Sequence, residues 1–411
     1  MSAAQPSSDR PLRPAPLWLL ALITFSGTLA MHVFVPALPL AAKDLGASAG
    51  SLQLTISFYI LGLAFGQLVY GPLSDRFGRR PVLVVGLTIY TLASIAAALA
   101  QGVETLIAIR LLQALGGCAG LVLGRAIVRD GSGLADATRR LATMNLIVIL
   151  GPGVAPLIGT AVSEVLGWRA IFYGLAAMGV ANLLLTWRVL PETAPPGAGR
   201  DVATVLRGYG RLLRTPVFLG YAFGGSLATT PMYAFISAAP FVFGHELGRP
   251  PHEVGIYLAL VAAGIWLGNF CCSRLVGRTR VAGLLIGGSA ISLIGALLLL
   301  VATLSGHLTV PTALSGAMLF TFGAGVASAP ALAEALSVEP QLAGSASGFY
   351  GCIQMAVGAL ATSLAGLASL PSLGAGLVLT GAALGALFCF VLALRVSRLA
   401  TGRKLAGAPA E

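Results

Sequence analysis

The chain has 411 residues, of which 57% are hydrophobic and only 9% are charged, and its formal net charge is +11. A composition this apolar excludes an ordinary soluble domain and indicates a membrane protein. In a soluble chain the positive charge would suggest a nucleic-acid partner, but here the basic residues lie in short segments between apolar stretches. We therefore interpret them as determinants of membrane topology and predict no nucleic-acid binding.

About twelve apolar stretches reach the ~20 residues that a helix needs to cross the hydrocarbon core of a bilayer. This pattern predicts an all-α membrane protein with twelve transmembrane helices arranged as two six-helix parallel repeats. The predicted spans cover residues 17–38, 51–72, 81–101, 104–128, 140–163, 169–190, 216–241, 252–273, 281–304, 309–334, 343–368 and 372–395. The segment Pro36–Pro39 is expected to end the first span, because proline cannot continue a helix.

A polar, arginine-containing stretch divides the spans into two sets. The arginines concentrate in alternate loops, which predicts that both termini are cytoplasmic in a multi-pass protein of a bacterial inner membrane. The apolar run at Leu17 follows two arginines and is compatible with a signal peptide, but its length and the later spans favour a retained first helix. The predicted divisions are a cytoplasmic tail, an N-terminal half, a cytoplasmic linker, a C-terminal half and a second tail, at 1–16, 17–190, 191–215, 216–396 and 397–411.

The most charged segment of the N-terminal half, residues 71–80, is called here the charged loop and reads GPLSDRFGRR. A general excess of positive charge on cytoplasmic loops explains its arginines, but it explains neither the acid nor the two glycines. A partial copy of the loop occurs at 273–278, where Arg274 replaces the acid, and this indicates an internal repeat. The candidate gating residues of the loop are Gly71, Asp75, Arg76, Gly78, Arg79 and Arg80.

The pattern G-x-x-x-D-R-x-G-R-R between two spans resembles the loop between helices two and three of major facilitator superfamily transporters. This resemblance implies that substrate binds between two six-helix halves near the bilayer midplane. It also implies that an acid at the end of the fourth span, Asp130, pairs with the arginines of the loop and latches the outward-open state. The alternative interpretation of Asp130 is an acid that is simply solvated in a loop.

Arg110 lies inside the fourth predicted span, where a charge is costly unless it is paired or hydrated. The segment Arg110–Gly116 contains Gln113 and resembles the superfamily's helix-four motif, which is implicated in proton transfer. We therefore take Arg110 as a candidate for proton coupling. The alternative is an arginine that extends along the helix to the outer interface.

Glycine and proline cluster in the fifth predicted span, in the sequence LGPGVAPLIG at 150–159. Small residues at every fourth position predict a close helix contact, and the prolines predict a kink. The stretch resembles the antiporter motif of proton-coupled drug exporters, although Thr160 stands where the fuller pattern has a glycine. Ordinary glycine and proline of membrane helices are the alternative. The candidate motif residues are Gly151, Pro152, Gly153, Pro156 and Gly159.

Further segments narrow the resemblance to the Bcr/CflA drug-resistance transporters, namely 36–39, 66–71, 129–130 and 167–172. That resemblance implies export of bicyclomycin, chloramphenicol-type drugs and related small molecules in exchange for protons. Members often carry an acid four residues before the P-A-x-P segment, whereas this chain has His32 there. His32 is a candidate proton carrier because imidazole titrates near neutral pH. A polar residue hydrogen-bonded to a neighbour is the alternative.

Aromatic and soft side chains suited to an apolar cavity occur in several spans, and lipid-facing or packing roles are the alternative. We predict a proton-coupled antiporter, acting as a monomer, that exports small amphipathic drugs or toxic compounds. A metabolite exporter for an amino acid or short peptide is the alternative. The five cysteines form no C-x-x-C pair, and no catalytic or metal-ligand cluster is recognised, so we predict neither an enzyme nor a cofactor. The candidate cavity residues are Tyr59, Tyr233, Phe235, Trp266, Phe349 and Met355.

Overall fold

The computed structural model describes residues 15–130, 134–193 and 202–406, and these residues form fifteen α-helices. The N-terminal half contains α1 (Leu17–His32), α2 (Leu38–Leu45), α3 (Ala49–Phe77), α4 (Arg79–Ala98), α5 (Val103–Asp130), α6 (Leu134–Leu166) and α7 (Trp168–Val189). The C-terminal half, with the helix that precedes it, contains α8 (Val202–Leu213), α9 (Pro216–Thr229), α10 (Met232–Phe241), α11 (Pro251–Leu275), α12 (Val281–Leu304), α13 (Val310–Ser337), α14 (Ala343–Ala365) and α15 (Pro371–Ala406).

Within the described residues, eleven helical segments are long and apolar enough to cross a membrane. Two of them are composite, because α1 continues into α2 and α9 continues into α10. The helix α6 is continuous from Leu134 to Leu166 and contains the fifth predicted span, 140–163. The order of these helices agrees with the predicted all-α architecture of twelve spans.

The two halves repeat the same helix contacts. In the first half α5 packs against α1, α3 and α4, and α4 packs against α7; in the second half α13 packs against α9, α11 and α12, and α12 packs against α15. The halves meet through α3 against α14 and through α6 against α11. In the repeat α3 corresponds to α11 and α6 corresponds to α14, so these two pairs are equivalent. The predicted parallel repeat therefore describes both the halves and the interface between them.

The charged loop joins α3 to α4, and we call that end of the bundle the loop end and the opposite end the far end. Because α1 starts at the loop end, the chain reaches the far end at α2 and returns along α3. The helices α5, α7 and α13 also end at the loop end, and α8 lies there between the halves. This helix falls within the segment predicted as a polar linker.

The predicted end of the first span is wrong because proline is tolerated at the start of a helix. α1 ends at His32, a short 3-10 turn covers Val35–Ala37, and α2 continues to Leu45, with a proline at the first positions of both later elements. A proline there loses no hydrogen bond, so it interrupts the span without ending it. The seventh span breaks in the same way, between α9 and α10, at Pro231.

Candidate functional site

The charged loop is a sharp joint between two helices. A single residue, Gly78, separates α3 from α4, and its φ of +95° lies in a region that side-chain-bearing residues rarely adopt. A Cβ atom at this position would also lie 2.7 Å from Oε2 of Glu192. Both the backbone conformation and the close approach therefore require glycine. Gly71, by contrast, lies within α3 and has open space where a Cβ would be.

Arg79 connects three helices at the loop end. Its Nη1 donates to Asp75 and to Oγ of Ser74 on α3, and its Nε donates to Oδ2 of Asp130, the last residue of α5, at 2.9 Å. Only 13% of the Arg79 side chain is exposed. A guanidinium held between two carboxylates makes charge-assisted hydrogen bonds, which are stronger than neutral ones. We call the group of Asp75, Arg79 and Asp130 the Arg79 latch.

Glu192 is a part of this site that sequence analysis missed. Its Oε1 accepts from the backbone N–H of Arg79 at 2.9 Å, and its Oε2 accepts from the N–H of Arg80 at 3.1 Å. These amides belong to the first turn of α4, whose N–H groups have no partner within the helix. A carboxylate there also meets the positive end of the helix dipole. The first residues after α7 are thereby fixed to the charged loop.

The remaining arginines of the loop make other contacts. Arg80 donates through Nη2 to the backbone oxygen of Trp187 on α7, and Arg76 lies over the ring of Phe77 at 5.2 Å. The copy of the loop in the second half keeps the joint, since Gly277 has a φ of +83°. None of its arginines forms an ion pair with an acid in the described residues. The latch therefore belongs to the first half.

Arg110 is fully buried in the first half, so the alternative in which its side chain reaches the outer interface is wrong. Its Nη1 donates to Oε1 of Gln113 at 2.6 Å and to the backbone oxygen of Ala30 at 3.1 Å. The guanidinium carbon lies 4.1 Å from the centre of the Tyr59 ring and within 5.7 Å of the rings of Phe34 and Phe172. Aromatic faces attract a cation at these distances. No described residue accepts a hydrogen bond from its Nε or Nη2.

Polar contacts continue from Arg110 into the first half. Nε2 of Gln113 donates to Oγ of Ser94 at 2.8 Å, and Ser94 donates to the backbone oxygen of Tyr90 at 2.7 Å. The hydroxyl of Tyr59 donates to the backbone oxygen of Gly27 at 2.7 Å, and Tyr59 is fully buried. In this state Tyr59 packs around Arg110 within one half, and its place in the substrate cavity stays a prediction.

His32 lies at the interface between the halves. Nδ1–H of its ring donates to the backbone oxygen of Thr28 at 2.9 Å, which matches the alternative of a locally bonded polar residue. Its Nε2 is buried and has no hydrogen-bond partner among the described residues. The ring centre is 6.1 Å from that of Tyr233, which belongs to the second half. Of the two candidates for proton coupling, His32 is thus the one that faces the second half, and it lies at the end of α1.

The other cavity candidates do not come together. Phe235 is buried and packs edge-on against Phe243, with ring centres 6.2 Å apart. Phe349 stacks on Tyr209 at the loop end, with ring centres 5.5 Å apart, while Trp266 is 38% exposed on α11. Met355 is partly buried against the main core. In this state these side chains point to separate places, and a cavity lined by the whole set stays a prediction.

The predicted antiporter motif packs α6 against α1 and α11. A Cβ at Gly151 would lie 3.4 Å from Thr28 on α1, and one at Gly159 would overlap the backbone oxygen of Val33. Pro156 is buried, and its turn faces α11 through Thr160. Gly153 has open space around its Cβ position, and the side chain of Pro152 lies outside the described residues. Close contact thus accounts for two of the motif glycines.

Two glutamines that sequence analysis did not select bracket the α3–α14 interface. Near the loop end, Nε2 of Gln67 donates to the backbone oxygen of Gly351 at 3.3 Å. Near the far end, a Cβ on Gly366 would lie 3.2 Å from Oε1 of Gln53 and 3.5 Å from the backbone oxygen of Gly50. The two halves therefore touch along this helix pair at both ends.

A cavity of 620 Å³ opens between the halves at the far end. Its walls come from α2 and the preceding turn on one side and from α10, α11 and their connection on the other. The volume lies in the range of pockets that hold small molecules. Its lining is largely apolar, with Lys43, His245 and Arg249 as its basic members. We call this cavity the far-end vestibule.

Two repeated helical halves, an interface between them and an ion-paired joint after the second span define a secondary transporter. Residues 20–362 match the profile of the Major Facilitator Superfamily, and the chain belongs to this family of transporters. The predicted family is thus confirmed. The similarity extends over most of the described helices of both halves.

Similar proteins include named resistance proteins. The chain is 28% identical over 347 residues to the bicyclomycin resistance protein homolog of Haemophilus influenzae, covering 84% of this chain and 87% of that one. It is 32% identical over 344 residues to the chloramphenicol resistance protein of Pseudomonas aeruginosa, covering 82% and 80%. The crystal structure of a D-xylose–proton symporter superposes with a TM-score of 0.71 at 15% identity, covering 90% of this chain and 96% of that one, which shows a shared fold.

Proposed function

We propose that this chain is a proton-coupled antiporter that exports small amphipathic drugs or toxic compounds across a bacterial inner membrane. The observation that carries the proposal is the far-end vestibule, a cavity of 620 Å³ between the two halves of a transporter fold. The similar bicyclomycin and chloramphenicol resistance proteins support drugs as its cargo.

The distribution of arginine supports an orientation with both termini and the loop end in the cytoplasm. The charged loop and the copy of it in the second half together place Arg76, Arg79, Arg80, Arg274, Arg278 and Arg280 at the loop end. In this orientation the far-end vestibule faces the outside and receives cargo before release. The Arg79 latch then holds α3, α4 and α5 together on the cytoplasmic side in the state described here.

Opening toward the cytoplasm requires that the halves separate at the loop end. In our proposal the helices of the first half also shift relative to one another in this movement, which strains the Arg79 latch because α5 carries Asp130 and α3 carries Asp75. Breaking one of the two carboxylate contacts leaves the guanidinium with the other, so the latch can change partners at moderate cost. Gln67 releases Gly351 in the same movement, since that hydrogen bond crosses between the halves.

In this proposal, proton coupling takes place at the turn of α1 that both Arg110 and His32 contact. Arg110 donates a hydrogen bond to the backbone oxygen of Ala30, and His32 donates one to that of Thr28, so both contact the same turn. A proton on Nε2 of His32 would place a second charge beside the interface with Tyr233. A charge at such a place is costly, and the cost is lowered when the interface opens to water.

The placement of charge favours neutral or anionic cargo. Every aspartate and glutamate in the described helices lies within three residues of a helix end, whereas Arg110 and His32 are buried basic side chains. A cationic drug at the interface would therefore lack a carboxylate to offset its desolvation. The same argument disfavours the alternative of amino-acid or peptide export, since a zwitterion also carries an ammonium group.

Susceptibility of an efflux-deficient bacterial host tests the proposal. We expect expression of the protein to raise the inhibitory concentrations of chloramphenicol and bicyclomycin several-fold and to leave that of tetraphenylphosphonium, a lipophilic cation, unchanged. The matched control is the Arg110→Ala variant at equal membrane abundance. Protection against the cation alone would reverse the assignment of cargo charge, and protection against none of a broad drug panel would contradict drug export.

A further inference from the structure

The far-end vestibule has largely apolar walls that come from both halves. Pro36, Pro39 and Leu40 line it on the side of the first half, and Pro240 and Phe241 line it on the side of the second. Proline fixes its own φ angle, so walls of this kind need little reordering when a ligand enters. The cavity is therefore suited to the apolar body of a small molecule.

Lys43 gives the first-half wall of this cavity a positive charge. It is exposed on α2 and forms no ion pair with any acid in the described part of the chain. Its neighbour Asp44 is directed away, to the guanidinium of Arg169 and to Nε1 of Trp168, and neither of those residues lines the cavity. No carboxylate of the vestibule therefore offsets the charge of Lys43.

The second-half wall carries two more basic side chains. Nε of Arg249 lies 3.5 Å from Oε2 of Glu253, and this carboxylate also accepts from the hydroxyl of Tyr257. His245 is exposed, and its ring packs edge-on against that of Phe241, with the ring centres 5.7 Å apart. An imidazole always carries at least one N–H that can donate a hydrogen bond. This wall thus offers a donor opposite Lys43.

Acidic side chains are absent from the described residues that line the vestibule. Glu246, which follows His245 in the chain, is directed instead to α15, where its Oε1 accepts from the backbone N–H of Ser372 at 3.0 Å. A cation in the cavity would meet three basic side chains and no lining carboxylate. An anion would meet attraction from the same three side chains. The lining therefore favours negatively charged ligands.

We propose that the far-end vestibule binds amphipathic organic anions, with the anionic group at Lys43 and the apolar body against the proline-lined walls. The proposal rests on the proposed function for one point, that the ligand is cargo held on the outer side before release. Within the neutral or anionic cargo of that function, it assigns the tightest binding at this site to molecules with a sulfonate, carboxylate or phosphate group on an apolar body. A ligand that reaches from Lys43 to His245 contacts both halves, so its release precedes closure of the far end.

A cysteine at position 244 reports on occupancy of the vestibule without any measurement of transport. Gly244 lines the cavity, and nothing lies within 4 Å of a Cβ there. The purified Gly244→Cys protein is treated with N-ethylmaleimide, and the labelling rate is measured at rising concentrations of octanesulfonate or of octyltrimethylammonium. Wild-type protein gives the labelling of the native cysteines. Ala47→Cys, on the first-half wall, provides a second reporter.

We expect octanesulfonate to protect the cysteine from labelling and octyltrimethylammonium to leave the rate unchanged. Lys43→Gln in the same background should raise the concentration of octanesulfonate needed for half-protection about fivefold, which corresponds to about 1 kcal/mol for the loss of one exposed charge pair. The same change at an exposed arginine of the second-half loop, Arg278→Gln, should leave the protection intact.

Three results would overturn the proposal. Equal protection by both amphiphiles would show that the cavity selects apolar bodies and not charge. An unchanged half-protection in Lys43→Gln would remove Lys43 from the site, and no protection at either reporter would exclude binding in the vestibule. Because these measurements need no transport, their failure is distinct from a failure of drug export, which host susceptibility measures.

Discussion

At the scale of single residues, Arg110 poses the sharpest energetic question, because it is a fully buried arginine that no carboxylate of the described residues accompanies. Its charge is offset by Gln113, by the oxygen of Ala30 and by the aromatic faces around it. Two of its nitrogens remain without a partner. These are properties of a group that changes partners during a transport cycle.

We expect Arg110→Ala to abolish coupled export and Arg110→Lys to retain a small part of it. Lysine keeps the charge but cannot reproduce the planar set of donors. The alanine variant also leaves two buried acceptors unpaired, at a cost of about 1–3 kcal/mol each. Export is measured in vesicles after folding has been checked by gel filtration. Arg278→Ala is the control, since Arg278 is exposed in the second-half loop and forms no ion pair among the described residues, and normal export by Arg110→Ala would contradict this assignment.

Asp75→Asn should lower export by about tenfold or more while the protein remains in the membrane, since a charge-assisted bond to Arg79 is worth about 1.5–3 kcal/mol. The amide keeps the shape of the side chain and removes only the charge. Asp44→Asn is a matched control, because Asp44 pairs with Arg169 at the far end, outside the latch. If drug uptake into inverted vesicles is equal in the wild type, in Asp75→Asn and in Asp44→Asn, Asp75 has no part in gating.

Sequence spacing predicts some of these contacts and does not predict others. The joint at Gly78 follows from local pattern, because the loop residues are adjacent in the chain. Asp130 lies 51 residues from Arg79 and was selected only through the family resemblance. Glu192 lies 113 residues from Arg79, in a segment that carries no periodicity, and only packing of the helices brings it to α4. The surroundings of Arg110 likewise depend on how three helices rotate.

At the scale of the helices, the two glycines of the charged loop have different roles despite their similar place in the pattern. Gly78→Ala should destabilise the protein by about 1–3 kcal/mol, because alanine resists a positive φ, and by displacing Glu192. Gly71→Ala should be neutral or slightly stabilising, since alanine is favoured by up to ~1 kcal/mol within a helix. Thermal unfolding of the two purified variants measures the difference. Equal midpoints would contradict the role of the joint.

The α3–α14 pair should respond in opposite senses at its two ends. Gly351→Ala displaces Gln67 and should open the loop end, whereas Gly50→Ala meets the backbone oxygen of Gly366 and should open the far end. Cys352, which is partly buried on α14, reports on the first movement. A water-soluble maleimide should label it faster in Gly351→Ala and at the wild-type rate in Gly50→Ala. Cys352→Ser in each background gives the labelling of other cysteines.

Hydrophobic length predicts the number and order of the helices well, because a bilayer imposes it on every span. It does not predict where proline interrupts a span, as at Pro36 and Pro231, since proline at the first turn of a helix is compatible with continuation. Sequence also does not distinguish apolar side chains that face lipid from those that pack against protein. This is why Trp266 and Phe349 were expected beside Tyr233 and lie elsewhere.

At the scale of the whole molecule, the proposed antiport draws on an ion gradient, and the energy is sufficient. One proton that enters across ~100 mV yields ~2.3 kcal/mol, and one pH unit adds ~1.36 kcal/mol. The sum sustains a gradient of a neutral drug of several hundredfold, at ~1.4 kcal/mol per factor of ten. The proposed antiport therefore needs one titratable group that communicates with both sides in turn.

We expect His32→Gln to bind drug but to lose drug-driven proton movement, because glutamine keeps a donor for the oxygen of Thr28 and cannot titrate. Proton movement is followed with a pH-sensitive dye in inverted vesicles, and drug binding is measured on the purified variant. Thr28→Val is the control for a polar change beside His32 that leaves its titration intact, since it removes only the hydroxyl bonded to the backbone oxygen of Phe25 and keeps the backbone oxygen that His32 contacts. Normal coupling in His32→Gln would assign the proton to another group, and no coupling in the wild type would contradict antiport.

The contact of Glu192 with α4 also determines the length of chain that connects the two halves. Glu192 is fixed to the first half, and α8 is fixed to the second through Arg211 and Tyr209. Ten peptide steps join Glu192 to Val202, where α8 begins, and a fully extended chain covers at most about 36 Å over that length. The length of this connection therefore limits how far the two halves can separate at the loop end, and with it the largest cargo that can enter from that side.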